Sequence, residues 1–514
     1  MSLLGVDVGT TGCKAAAFSE LGLCLASAYR EYPTLHPGDG WAELDSRHVW
    51  DCVRATIGKV AAQVAKDPIR ALSVSSMGEA ATPVSKQREI LSSCILSSDT
   101  RGADYIEALT REISQEDFYS INPNILGAQY TLPKLLWLRQ HQPDLYSRAD
   151  KFLLWGDLVT CLLGCDPLTS YSHANRTLLF DIRAGDWSER LLSLTRIERT
   201  KLPTPVPSGT VAGKVSSHAA RQMNLPEGVL VVVGGHDQCC NSLGAGIHAA
   251  GRAVCGIGTF ECITPSYDRI PESGPMLRNG LNVEHHVLPG LFVSFIYNQS
   301  GSLVRWFRDT FARADRKLLS PEKDTYEALA GEMPEAPTRL FTLPYFEPTG
   351  PPHFVAEASG VILGMKTTTS RGEILKSIME SVTFYLAEST KALAEMGVDI
   401  SEFVATGGGA KSDAWLQIKA DIFGVPFVRL AITEGSVLGA AMLAGVSTGV
   451  YASPADAASH FVKRGRVFDP EPNRHKIYQE KLQVYRELFP LLKDFLVKHE
   501  KTEQKRTVGR KLAA

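Results

Sequence analysis

Apolar and polar positions alternate at the start of the chain in a short, repeated rhythm that predicts strands over residues 3–8, 15–18 and 25–32, split by glycine turns. Val49, Val53, Ile57, Val60 and Ala61 then recur at helical spacing, which predicts a helix over 48–64 with Ser46 as its N-cap. Alternation over 69–74 predicts a strand ending in Ser75-Ser76-Met77-Gly78-Glu79, and a second apolar run, Ile95-Leu96, leads into Ser98-Asp99-Thr100-Arg101. Both stretches fall where strand-to-loop transitions usually present side chains to ligands. A helix is expected around Lys134–Leu138 and another over 157–163, and Pro203, Pro205 and Pro207 predict an extended connector. The continuous apolar run from Val229 to Val233 reads as a buried strand, broken by Gly234-Gly235, that delivers Asp237 to the mouth of a sheet.

The second half is helix-rich. Ser370 and Glu373 have capping-box spacing ahead of Ile374, Leu375, Ile378, Met379 and Val382, so a long amphipathic helix is predicted there. A strand over 403–405 breaks into Gly407-Gly408-Gly409-Ala410-Lys411-Ser412, followed by a helix over 413–423 that stops at Gly424. Gly439, Ala440, Ala441 and Ala444 give the predicted helix over 436–444 a thin face for close approach. A last amphipathic helix is expected over 478–497, and the polar tail 501–514 is expected to be disordered.

Composition narrows the class. A chain of 514 residues is too long for one ordinary core, and two domains are expected. A formal net charge of −2 argues against a nucleic-acid surface. With no run of 18 apolar residues and a strand starting at Leu3 in place of a signal peptide, a cytoplasmic protein without a membrane partner is expected. The ten cysteines lack zinc-ligand spacing and read as inert thiols, and the sequon Asn175-Arg176-Thr177 reads as chance.

Two stretches carry the chemistry. In Gly5–Lys14, a strand end places Asp7 before a Gly9-Thr10-Thr11-Gly12 turn and Lys14, which combines a carboxylate for Mg²⁺ with amides, hydroxyls and a cation for phosphate oxygens. In Val231–Cys240, Asp237 is a carboxylate able to accept a proton from a substrate hydroxyl; a turn Asp bonding its own backbone is the plain alternative. The segment Val254–Thr259 echoes Leu4–Thr10 in shape, which points to a duplicated phosphate-binding hairpin. Residues 407–412 fail as a Walker loop because Ala410, not glycine, precedes Lys411, but the glycines still permit close approach to an anionic ligand. His236, His285 and His286 read as solvent-facing or core-satisfied, and Trp137 as core.

Taken in order, residues 5–14, Lys134–Leu138, Gly234–Gln238, Gly258-Thr259, Gly301 ahead of Trp306, and the run from Gly407 to Pro426 resemble the FGGY carbohydrate kinases. The resemblance implies a two-domain α/β, actin-like ATPase (ribonuclease-H-like) fold with an interdomain cleft. It places an acceptor-side domain at 1–246, a nucleotide-side domain at 247–450 and a helical segment at 451–500. It also implies ATP and Mg²⁺, a small sugar, ketose, polyol or sugar acid as acceptor, and a homodimer, the common state of relatives. By carry-over, Asp7 is the metal-associated carboxylate, and Thr10, Thr11 and Lys14 form the first phosphate hairpin. Gly258 and Thr259 form the second, while Gly301, Arg305, Gly408, Gly409 and Asp413 lie at the nucleotide. Asp237 is the general base, with Gln238, Gly78 and Glu79 at the acceptor. Where glycerol kinases carry Arg-Glu and xylulose kinases Met-His, this chain has Gly78-Glu79; the small Gly78 is expected to leave room for a four- to six-carbon acceptor. An actin- or chaperone-like ATPase, or a sugar sensor without turnover, are the competing readings.

Overall fold

The computed structural model describes residues 1–318, 325–355, 359–431 and 435–512. Two mixed sheets organise the chain. In the first, strands Ser2–Val8, Gly12–Ser19 and Cys24–Glu31 form an antiparallel meander, and Ser2–Val8 also pairs in parallel with Ile69–Ser76. Leu230–His236 extends that parallel set, and Val211–Lys214 closes the edge. In the second sheet, Arg252–Ile257 and Phe260–Tyr267 form an antiparallel hairpin, with Arg252–Ile257 parallel to Glu402–Thr406 and that strand parallel to Phe427–Leu430. A hairpin whose first strand pairs in parallel with a later strand therefore occurs twice, as the echo in the sequence led us to expect.

The amphipathic pattern 49–61 forms the helix Ser46–Gln63, burying Val49, Val53, Ile57, Val60 and Ala61. Its N-cap is Asp45, not Ser46: Asp45 Oδ1 accepts from the amides of Arg47 and His48 at 3.0 and 3.1 Å, while Ser46 is buried and its hydroxyl meets that of Thr82. The capping box at Ser370 and Glu373 opens a helix over Arg371–Glu395 as predicted. Three further expectations are corrected. Gly234-Gly235 do not end their strand, which continues to His236; a Cβ at Gly234 would lie 1.9 Å from the Val74 carbonyl, so only glycine lets the two backbones stay this close. The proline-rich connector includes a strand, Thr204–Val206, parallel to Leu168–Ser170. The last helix runs Pro472–Leu512, so the tail expected to be disordered is helical through 512; residues 513–514 lie outside the described residues.

The two halves in sequence are interlocked in space. The helix Gly435–Ser447, which follows the second sheet's central strands, packs against the first sheet, its Val437, Leu438, Ala441 and Met442 sharing an apolar cluster with Leu3, Ala16, Phe18 and Ala71. It also lies directly on the helix Asp237–Gly244: a Cβ at Gly439 would sit 1.8 Å from the Cys240 carbonyl. Small residues permit this approach, and the close fit fixes the helix that starts with Asp237.

Candidate active site

Two cavities meet at the turn of the second hairpin. The larger, of ≈ 950 Å³, is lined by Gly258, Thr259, Gly301, Arg305, Gly408, Gly409 and Asp413, so all seven nucleotide-side residues named from the sequence outside the first hairpin meet in one place. Gly258 and Thr259 form the turn of the second hairpin, whose carbonyls accept from the amides of Gly301 and Ser302; Arg305 Nη2 donates to Thr259 Oγ1 at 3.0 Å. Trp415, Met379 and Tyr326 supply apolar wall. Asp413 starts the helix Asp413–Phe423, but its carboxylate is engaged by Arg429 and Arg466.

The smaller cavity, of ≈ 280 Å³, is lined by Thr10, Gly78, Glu79, Asp237 and Gln238, with Tyr130, Arg176, His236 and Phe295. Its walls draw on both halves of the sequence, since Phe260, Asn282, Tyr297 and Phe354 also reach it. Three consecutive residues join the cavities: Gly258 and Thr259 face the larger, Phe260 the smaller. Thr11 is exposed at the first turn and Lys14 is half-buried opposite Asp7 in the hairpin register. Asp7, at the end of Ser2–Val8, accepts from Ser75 Oγ at 2.7 Å.

Asp237 stands at the first turn of its helix, where the N-terminal amides favour an anion. His236 Nδ1 lies 3.0 Å from Asp237 Oδ1 and 3.2 Å from the Gln238 amide nitrogen, and Oδ1 is shielded from solvent. Burial opposes charge on Asp237, but the field of the neighbouring imidazole and the Gln238 amide hold the carboxyl below its ordinary 3.8. On His236 burial works against protonation, and the Asp237 charge overcomes it and raises its pKa above 6.5. The ring stacks on Phe295 at 4.7 Å. His173, 6.3 Å away and fully buried, is pushed down to about 3 by desolvation.

Several sequence readings change here. The space expected at Gly78 is filled by this chain's own side chains: a Cβ there would lie 2.4 Å from His236 Cδ2 and 3.1 Å from Arg176 Cγ. Gly78 therefore gives His236 its space while still lining the cavity. The loop Ser98–Arg101 also faces elsewhere. Asp99 and Arg101 form a buried ion pair, the guanidinium lies over the rings of Trp41 and Trp137, and the Lys134 ammonium donates to the carbonyls of Asp99 and Arg101. From this loop region Ser97 lines the cavity. Lys134, desolvated in that cluster, is pulled down to about 8. His286 is buried and His285 half-buried, and no cluster of three or more metal-ligating side chains occurs among the described residues. Asn175 of the sequon is buried. Sequence reasoning missed Arg176 and dismissed His236; Arg176 sits in no local pattern that marks it, because Glu79 and Glu284 come from distant segments, whereas the adjacent Asp237 was a signal that could have marked His236.

Two hairpins of one plan, with a carboxylate at the start of a helix on the wall of the smaller cavity, suit a phosphotransferase of the actin-like ATPase fold. The chain belongs to the FGGY family of carbohydrate kinases: the family's N-terminal domain matches residues 2–244 and its C-terminal domain residues 257–448. It is 29% identical over 500 residues to the xylulose kinase of Bacillus subtilis, covering 96% of this chain and 97% of that protein. It is 28% identical over 488 residues to the glycerol kinase of Citrifermentans bemidjiense, covering 92% and 95%. The solved structure of the xylulose kinase from Rhodospirillum rubrum superimposes with a TM-score of 0.86 at 26% identity, over 96% of this chain and 100% of that one. The protein is thus a kinase that phosphorylates a hydroxyl of a small sugar or polyol at the expense of ATP, and the chaperone-like and sensor alternatives are not favoured. No described helix is long and apolar enough to cross a membrane.

Proposed function

We propose that Asp237 is the general base of this kinase, taking the proton of an acceptor hydroxyl bound in the smaller cavity as that hydroxyl attacks the γ-phosphoryl group of ATP held in the larger. The observation that carries this reading is Asp237 Oδ1, a carboxylate oxygen held ionised beside His236 and shielded from bulk solvent, in a residue on the wall of the smaller cavity. A substrate hydroxyl donating to it is oriented for in-line attack. Gln238 and Glu79 line the same cavity and hold the other hydroxyls, while Gly78 makes the space His236 needs.

On the nucleotide side, the turns Gly9–Gly12 and Gly258-Thr259 offer amides and hydroxyls to the phosphate chain, with Lys14 behind the first, and Gly301, Arg305, Gly408 and Gly409 shape the nucleotide's seat. Because phosphoryl-transfer transition states are largely dissociative, positioning and charge stabilisation carry more of the barrier than proton abstraction. Asp413, tied to two arginines, acts by fixing the start of its helix. Asp7 suits Mg²⁺: the ion prefers one or two carboxylates plus substrate phosphates to an all-protein cage, and a half-buried carboxylate beside a phosphate-binding turn is such a donor. When bound, Mg²⁺ neutralises charge on the transferring phosphate.

The acceptor is a polyol or ketose of the kind named for the relatives. A division at 246/247, a homodimer, a cytoplasmic location and the lack of nucleic-acid or membrane partners belong to the same proposal. The test is ADP release with ATP·Mg²⁺ against a panel of polyols, ketoses and aldoses. Asp237→Asn is expected to lose ~10²–10⁴-fold in turnover while nucleotide binding, read by calorimetry, is kept. Near-normal turnover in that variant removes Asp237 from the role.

A further inference from the structure

Arg176 is the one lysine or arginine lining the smaller cavity among the described residues, yet its charge is already committed. Nε and Nη2 both donate to Glu79 Oε1, the first at 2.8 Å, and Nη1 donates to Glu284 Oε1 at 2.9 Å and to Asn124 Oδ1 at 3.3 Å. Glu284 is fully buried, and Asn175 and Asn282 donate to its two oxygens. The guanidinium is covered by the rings of Tyr130 and Phe295, at 4.6 and 5.5 Å. Both bonds to Glu79 fall on Oε1, leaving its second oxygen to accept from an acceptor hydroxyl.

The charge balance follows. Glu79 and Glu284 face one guanidinium and Asp237 faces His236, so the cluster keeps a negative excess even with His236 protonated. A carboxylate on the acceptor would meet that excess with no available cation, and to bind it Arg176 would have to abandon a buried carboxylate, which is costly in a poorly solvated site. A neutral polyhydroxyl chain instead donates to Glu79 and Asp237 without adding charge.

Building on the kinase reading above, we propose that Arg176, clamped between Glu79 and Glu284, is a specificity-determining residue that reserves the acceptor site for uncharged polyols and sugars and turns sugar acids away. This narrows the acceptor class implied by the family resemblance, which includes sugar acids.

The experiment compares matched pairs of equal carbon number on the full chain: glycerol with glycerate, xylitol with xylonate, sorbitol with gluconate. Binding is read by competition calorimetry and turnover by ADP release. The wild-type protein is expected to favour the neutral member of a productive pair by at least ~100-fold in kcat/KM and to show the same preference in binding. Glu284→Gln, which removes one of the two carboxylates holding Arg176, is expected to narrow that ratio by ~10-fold or more, chiefly through better binding of the acid. If Glu284→Gln melts early, Glu79→Gln gives the same ratio from the other side of the clamp. A wild-type protein that accepts the acid as readily as its polyol, or a ratio unchanged in a folded clamp variant, overturns the proposal. Preferential binding of neutral members without any ADP release would instead sustain the charge selection and overturn the kinase reading of the site.

Discussion

The two hairpins share a backbone plan but carry different charge. In the first, Asp7 and Lys14 stand opposite each other, half-buried, just before the turn; in the second, the pair one position before the turn's anchor residue is Gly256 and Cys262, with no charge at all. The second hairpin's carboxylate is Glu261, and it lines neither cavity. It is fully buried, bonded to the Lys419 ammonium at 2.5 Å, to Ser300 Oγ at 2.8 Å and to Cys255 Sγ at 3.1 Å. Ser300 immediately precedes the helix Gly301–Phe311, and Lys419 lies on the helix Asp413–Phe423, so Glu261 ties together three elements of the nucleotide cavity wall. One copy of the fold keeps its charged pair half-buried beside the turn, where the proposed function uses it, while the other buries its charge to hold a wall in place. Duplication supplies geometry, and each half is free to place charge where its own task needs it.

The comparison can be broken in three places. The largest effect is expected from Lys419→Met, which strands a buried carboxylate and should cost ~3–5 kcal/mol of stability. The double variant with Glu261→Gln should recover most of it, and denaturant unfolding of the three proteins reads the difference. If Lys419→Met unfolds at the wild-type midpoint, the pair is not what holds the cavity wall.

Next comes the same position in both copies. Asp7→Asn should lower kcat by ~100-fold with little change in melting temperature, and raise the Mg²⁺ needed for half-activity. Its counterpart Gly256→Ala should leave both nearly unchanged, since the new Cβ would meet only ordinary contacts, the nearest being Thr406 Oγ1 at 3.6 Å. Equal losses would mean that the hairpins share one role.

The smallest effect is on pH. On the proposed base role Asp237 works as the anion, so activity is expected to be lost as pH falls through its pKa, and its depressed value puts that acid limb below the ordinary 3.8. In His236→Asn burial is no longer offset by the imidazole, so the limb in kcat/KM should move to higher pH. An unmoved limb would show that the helix N-terminus alone holds Asp237 ionised.

What was legible in the sequence is what is local. The periodicity of 49–61, the capping box at Ser370 and Glu373 and the glycine turns after Val8 and Ile257 each specify a conformation through neighbours a few residues away, and each formed as read. The same locality made Asp7, Asp237 and the glycines at 407–409 stand out, since each follows a strand and opens a turn or helix. What the tertiary structure decided is where distant charges meet. Gly78 looked like open space until His236, over 150 residues away, was found filling it. Arg176 looked like the middle of a sequon until Glu79 and Glu284 closed on it. Asp99 and Arg101 looked like ligand side chains until they were seen to satisfy each other under Trp41 and Trp137. A buried charge is stable only with its partner, and the partner is chosen by packing across the sheet, not by spacing along the chain.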